Sequence, residues 1–303
     1  MTNGWAMAAK IISVANMKGG VGKTTISVAL AQALAAGPSK AKVLVLDLDA
    51  QANASFWLSG QAALTAQIEQ SKAIDTFLED AIIFEKPTKL SDFVRPAKAH
   101  SERLFVAPSS PNLRIVEREL IVFLSRRHRN LLEVERVVST LLDEQLESLR
   151  SDFDVIIFDT APGISALTEA ALRLSHVVVV PTVPDYVSNL GLLSFCRTVS
   201  WSSNDIANAV KRTPWVVANK VKSSRHHELM LQQMRAEASS HDHEFNMLRT
   251  EIPSSPQIDE IASGLDMDGE LAFDTEGAGV FSRLAAEVLD LATRVATAPS
   301  RAA

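Results

Sequence analysis

Three glycines, two lysines and two threonines crowd into Met17-Lys18-Gly19-Gly20-Val21-Gly22-Lys23-Thr24-Thr25. Glycines at 19, 20 and 22 let the backbone curl until its N–H groups face one point, and such a concavity suits an anion. The segment follows the apolar run Ile11–Ala15 and opens a helical pattern, Thr24–Ala36. A helix N-terminus adds partial positive charge at the same place. A strand, a glycine-rich turn, Lys-Thr and a helix in that order form the context of a phosphate-binding loop. Gly19, Gly20, Val21, Gly22, Lys23, Thr24 and Thr25 then cradle the phosphates of a nucleotide. Lys23 reaches the β and γ phosphates, and the Thr24 hydroxyl holds Mg²⁺.

Acidic residues stand where such a loop needs them. Asp47-Leu48-Asp49 closes the apolar run Val43–Leu48, and Asp159 follows Val155–Phe158. The carboxyl ends of parallel strands face the ligand crevice of an open α/β sheet. Of two carboxylates two residues apart there, one can bind Mg²⁺ through water and the other can orient an attacking water. Asp159 is a further candidate for the Mg²⁺ shell. The residues after it, Thr160-Ala161-Pro162-Gly163, suit a segment that rearranges with the terminal phosphate.

The elements that must position these groups are legible as short apolar runs. Ile11–Ala15, Val43–Leu48, Val155–Phe158, Val177–Val180 and Trp215–Ala218 are Val/Ile/Leu-rich and bounded by Gly, Pro, Asp or Asn, with Leu104–Ala107 as a sixth candidate. Continuous runs of this kind suit strands buried on both faces. Amphipathic patterns lie between or after them, at Thr24–Ala36, Leu131–Leu149 and Phe281–Val295. Alternation predicts an α/β fold: a twisted, mostly parallel sheet with helices on both faces. The expected organisation is a short extension (1–9), one ATPase-type domain (10–295) with an elaboration within 82–128, and a frayed tail (296–303). With 47% hydrophobic and 22% charged residues among 303, the chain can bury a sizeable core, which excludes disorder as its main state. One cysteine, Cys196, excludes a disulfide framework and reads as a small core residue. No apolar run is long enough to span a membrane, and the expected location is the cytoplasm.

The loop departs from the ordinary phosphate-loop pattern. Met17 stands where the first glycine is usual, and an extra lysine, Lys18, follows it. Here the chain resembles the ParA/MinD group of deviant Walker A ATPases, whose loop reads Lys-Gly-Gly-x-Gly-Lys-Thr. The likeness continues through Asp47-Leu48-Asp49-Ala50-Gln51-Ala52-Asn53, Pro181–Tyr186, Asn219 and Ile252-Pro253. It implies a P-loop NTPase fold, ATP and Mg²⁺ as ligands, and slow hydrolysis. It implies that Lys18 reaches the nucleotide of a second copy, that Asp49 positions water, and that Asp47 stands on the metal side. It places Asn219 at the adenine edge and Pro253 beside the base. It further implies a homodimer with ATP, non-specific DNA binding by that dimer, nucleoid association, and a ParB-like partner protein that stimulates hydrolysis. The family usually has proline where Ala161 stands, and many partition members carry arginines where this chain has Ser254-Ser255.

Net charge is −6, so DNA binding requires a local basic patch. Two clusters qualify: Arg126-Arg127-His128-Arg129 with Arg136, and Lys211-Arg212 with Lys220, Lys222 and Arg225. Lys211, Arg212, Lys222 and Arg225 are the DNA candidates. His226, His227, His241 and His243 lack the spacing of a closed metal site and read as solvated. The single cysteine excludes relatives that share a cluster or zinc through paired cysteines. The lone Tyr186 excludes a tyrosine-cluster kinase, and Ala296–Ala303 lacks a membrane-docking helix. With only nine residues before the first strand, operator-specific repression is not expected. Two readings remain: a DNA-using partition or positioning ATPase for DNA or a protein cargo, and a nucleotide-gated scaffold that never uses DNA.

Overall fold

The computed structural model describes residues 9–97, 102–128, 130–202, 213–256 and 276–297. In chain order the strands are β1 (Lys10–Val14), β2 (Val43–Leu48), β3 (Arg95–Pro96), β4 (Leu104–Ala107), β5 (Val155–Thr160), β6 (Val177–Thr182), β7 (Trp215–Val221) and β8 (Asn246–Pro253). They form one sheet of order β3-β4-β2-β5-β1-β6-β7-β8. All neighbours run parallel except β3 and β4. The helices are α1 (Lys23–Ala36), α2 (Asn53–Ser59), α3 (Gln61–Glu69), α4 (Ile74–Leu78), α5 (Leu113–Ser125), α6 (Leu131–Leu149), α7 (Ala166–Leu174), α8 (Tyr186–Ser202), α9 (Arg225–Ala238) and α10 (Glu276–Thr297).

Period-two alternation sends successive strand residues to opposite faces. Ile12, Val14, Val43, Val45, Val155, Ile157, Val177 and Val179 pack under α1, α2 and α10. Ile11, Leu44, Leu46, Ile156 and Phe158 pack under α4, α5, α6 and α7. Val178, Val180 and Val216 meet α8 and α9. Both faces are covered, so β2, β5 and β6 are buried along their whole length, as the continuous apolar runs predict.

Two strands were not legible as apolar runs. β3 is two residues long, and β8, with the sequence Asn-Met-Leu-Arg-Thr-Glu-Ile-Pro, is a partly exposed edge strand with little apolar demand. β8 also slips in register between Met247 and Glu251. The extra N–H groups there, those of Arg249 and Thr250, donate to the Glu287 carboxylate on α10 at 2.7 and 3.1 Å. The irregular stretch Thr88–Ser110 holds β3, β4 and a short 3₁₀ turn (Leu90–Phe93).

Register brings the acidic ends level. Val14 lies opposite Asp159, and Asp47 lies opposite Asp159 on the other side. Chain order reverses beside β1, since β2 and β5 lie to one side of it and β6 to β8 to the other. That switch point opens a crevice at the carboxyl ends of the strands.

Helix α10 is held by burial of Leu284 and Val288 in the core it shares with α1. Leu284→Ala is expected to lower unfolding free energy by about 2–5 kcal/mol. Replacing the exposed neighbour Arg283 with alanine should change it by less than about 0.5 kcal/mol in the same urea titration.

Candidate functional site

The glycine-rich loop joins β1 to α1 at the switch point. Gly20 and Gly22 have φ of 74° and 93°, a region that favours glycine. A Cβ on Gly22 would lie 2.2 Å from Nδ2 of Asn219. Neighbouring strands hold the loop by two amides. Asn219 Nδ2, at the end of β7, donates to the Val21 carbonyl at 2.7 Å. Asn16 Nδ2 donates to the Pro181 carbonyl on β6 at 2.7 Å, while its Oδ1 accepts the Lys18 N–H.

Lys23 opens α1 and is buried, with 6% of its surface exposed. Its Nζ donates to the Lys18 carbonyl at 3.1 Å. Burial lowers its pKa, while the charges of Asp159 and Asp49 pull it back up. This lysine is therefore set between the loop and two carboxylates.

The three acids have different surroundings. Asp159 is fully buried; Oδ1 accepts from Ser27 Oγ at 2.8 Å, and Oδ2 has no hydrogen-bond partner. Burial first, then the Asp47 charge, pushes its pKa up to about 8. An oxygen without a hydrogen-bond partner beside Thr24 is, once its carboxyl gives up the proton, the donor that a divalent cation requires, so the residues fit Mg²⁺. Asp47 is also buried, and its pKa is pushed up to about 6, mainly by burial. Its oxygens are engaged: Oδ2 accepts from the Ser55 N–H and hydroxyl at 2.8 and 2.6 Å, and Oδ1 from the Asp49 N–H. A metal-side role for Asp47, exerted through water, is left to the remaining lone pairs of these oxygens. Its carboxylate braces the turn between β2 and α2, and Asp159 offers the free oxygen. Asp49 is half-buried, and its Oδ1 accepts the Gln51 N–H at 2.9 Å.

Other expected residues fall at the same rim or outside it. Asn219 is only 3% exposed, with Nδ2 engaged by Val21 and Oδ1 by the Lys220 N–H. In this state it clamps the loop rather than presenting a free amide for a base. Pro253 is exposed and pairs with Val221, two residues beyond Asn219. Pro162 packs against Gly19, and Gly163 has φ of 97°, so the segment after Asp159 rests on the loop. Lys222 and Arg225 are exposed at the turn from β7 into α9; Lys211, Arg212 and Arg129 lie outside the described residues. In the other basic cluster, Arg127 pairs with Glu85 and stacks on the Phe123 ring. His227 is buried, not solvated, and accepts the Lys222 N–H. Ser27 and Ser55 were not expected. Their partnerships with Asp159 and Asp47 leave no local mark in the sequence, since Ser27 and Asp159 are 132 residues apart.

Residues 9–211 match the model of a family described as an AAA domain, AAA_31. The chain belongs to that family. The ParA/MinD-type resemblance of its loop is borne out by relatives of this AAA-domain chain. Sporulation initiation inhibitor protein Soj of Bacillus subtilis is 34% identical over 190 residues, which is 63% of this chain and 64% of Soj. Chromosome partitioning protein ParA of Myxococcus xanthus is 31% identical over 196 residues, 65% of this chain and 60% of ParA. The match thus spans less than two thirds of either relative. Among solved structures, an ATP complex of McdA from Cyanothece superposes with a TM-score of 0.69 at 16% identity, covering 95% of this chain and 96% of that one. That likeness is one of fold: the P-loop NTPase sheet with helices on both faces. Among the described residues, no helix is long and apolar enough to cross a membrane.

Two outcomes follow from the geometry. Gly22→Ala combines a strained φ with the contact to Asn219, and should cost about 1–3 kcal/mol of stability in a denaturant melt. The second concerns pH. The folded state holds the Asp159 proton more tightly than the unfolded state, where the carboxyl titrates near 3.8. Between that value and about 8 the folded state binds more protons, so stability falls as pH rises through this window. Melting temperature without ligand should therefore decline over that range, and Asp159→Asn should flatten the decline.

Proposed function

We propose that this protein is a ParA-type ATPase that partitions or positions DNA or a large protein cargo. The observation that carries the reading is the convergence of Lys23, Asp159 and Asp49 on the glycine loop, with a second lysine, Lys18, exposed at its rim. The names of the relatives, Soj and ParA, and the ATP complex of the McdA structure support it.

ATP sits with its phosphates on the N–H groups of Gly19 to Thr25. Lys23 neutralises the β and γ phosphates. Mg²⁺, held by Thr24 and the free oxygen of Asp159, supplies charge neutralisation of the phosphate oxygens when bound. Asp49 keeps one carboxylate oxygen for orienting the attacking water. The raised pKa of Asp159 makes cation binding release a proton near neutral pH.

A second copy closes over the rim. Met17 on the loop, Ile164 after β5, and Tyr186, Val187 and Leu190 in the opening turns of α8, where Ser188 holds Lys18, are exposed apolar residues, between 38% and 67% accessible. Apolar exposure of this kind suits a surface that becomes covered. In the ATP dimer Lys18 reaches the partner's nucleotide, and basic residues of two copies add to hold DNA phosphates without sequence preference. Lys222 and Arg225, with Lys211 and Arg212, are the residues proposed for that contact. A ParB-like partner stimulates the slow hydrolysis that returns the protein to the monomer, which works in the cytoplasm on the nucleoid. A scaffold that pairs without DNA is the second reading; the net charge of −6 and Ser254-Ser255 after Pro253 favour it.

Lys23→Ala should weaken ATP binding at least about 100-fold in calorimetry, since a charged group that contacts the phosphates is lost. Asp49→Ala should bind ATP but hydrolyse it at least about 100-fold more slowly. On immobilised DNA that trapped form should be retained with ATP, not with ADP, and lost as salt rises. An ATP-bound dimer that ignores DNA at low salt would select the scaffold reading.

A further inference from the structure

The cradle uses one of the loop's two lysines. Lys18 is exposed, yet its side chain is held: Nζ donates to Ser188 Oγ at 2.8 Å. Ser188 lies in the first turn of α8, 170 residues further along the chain, and is only 5% exposed. It is gripped from behind by Asp185. Asp185 Oδ1 accepts the Ser188 N–H at 2.7 Å, and Oδ2 accepts the Ser188 hydroxyl at 2.9 Å.

Donor chemistry gives this chain one direction. An ammonium only donates and an ionised carboxylate only accepts. The Ser188 hydroxyl has one proton, which goes to Asp185, so its lone pair faces Lys18. Against the upward push of burial, the Ser188 N–H and hydroxyl, and then the Lys18 charge, hold the Asp185 carboxyl below its ordinary range. The relay immobilises a long side chain that would otherwise sample many rotamers. It also draws the Lys18 ammonium toward α8, while the Lys18 carbonyl receives Lys23.

We infer that Asp185 and Ser188 are positioning residues for Lys18, a latch that keeps its ammonium within its own chain until the phosphates of a second copy's nucleotide draw it away. This rests on the ATP-dimer reading above. A neutral hydroxyl is a weaker acceptor than a phosphate oxyanion, so the latch yields to the charged ligand. The contact must break before the lysine can act across the interface, and it therefore raises the concentration at which dimers form.

Two measurements test it on the full chain. In nucleotide-free protein, the rate of Lys18 acetylation by a small acylating reagent is read by peptide mass spectrometry against exposed Lys40. Ser188→Ala and Asp185→Asn should raise it about three- to tenfold, between the worth of an exposed ion pair and that of a charged hydrogen bond. An unchanged rate in both variants, with unchanged melting temperature, would overturn the latch whatever the dimer does. In the Asp49→Ala background with saturating ATP, Ser188→Ala should lower the protein concentration for half-dimerisation, by sedimentation, about three- to tenfold. Adding Lys18→Ala should abolish that gain. A gain that persists without Lys18, or a rise in the midpoint, would overturn the proposal. Absence of any ATP dimer alongside faster acetylation would instead overturn the dimer reading, and with it the release step.

Discussion

A buried carboxylate with an unpaired oxygen is an unstable thing to build, and Asp159 is such a group. It lies at the end of β5, between β1 and β2, where parallel strands present their carboxyl ends. Burial raises its proton affinity, Asp47 beside it raises it further, and the hydroxyls of Ser27 and Thr24 offset this in part. The nearby compensating charge is Lys23, whose own pKa burial lowers. This cluster is stable enough to fold, yet it is left short of positive charge, which a cation or a proton can supply. The rest of the site is arranged around that shortfall.

The loop geometry follows from the same place. To face its N–H groups inward it must take positive φ at Gly20 and Gly22, and the turn is then pinned by the Asn219 amide on β7 and by the Asn16 amide, which donates to the Pro181 carbonyl on β6. The Asn219 contact leaves no room for a Cβ at Gly22. Strand spacing and loop curvature are thus one constraint. The same curvature separates the two lysines: Lys23 turns in beneath the loop, and Lys18 turns out toward α8. One short segment therefore carries both a buried ammonium beneath the loop and an exposed one at its rim.

Much of the fold was legible because buried parallel strands must be apolar on both faces, and six of the eight strands announce themselves in this way. β3 and β8 escaped because an edge strand has one neighbour and an accessible face, so its composition is free to be polar. In the site, the loop and the placement of Asp49 and Asp159 at the ends of strands were legible, because these depend on adjacency along the chain. The bracing contacts of Asp47 were not legible, because an acid of its type and position suits a metal shell or a brace alike, and its partner Ser55, eight residues away, which engages one of its oxygens twice, leaves no local mark.

By itself, then, the sequence determined the α/β class, the glycine loop with its lysines, and the acids at strand ends, since these are properties of neighbouring residues and of hydrophobic period. The tertiary structure alone decided which acid keeps a free oxygen, which amide clamps the loop, and where Lys18 rests. Each of those outcomes is a competition for hydrogen bonds between residues far apart in the chain. The Asn219–Val21 contact spans 198 positions and the Lys18–Ser188 contact 170. No local pattern encodes such pairs, because they meet only when the register of the parallel strands brings the ends of β1, β2, β5, β6 and β7 to one edge.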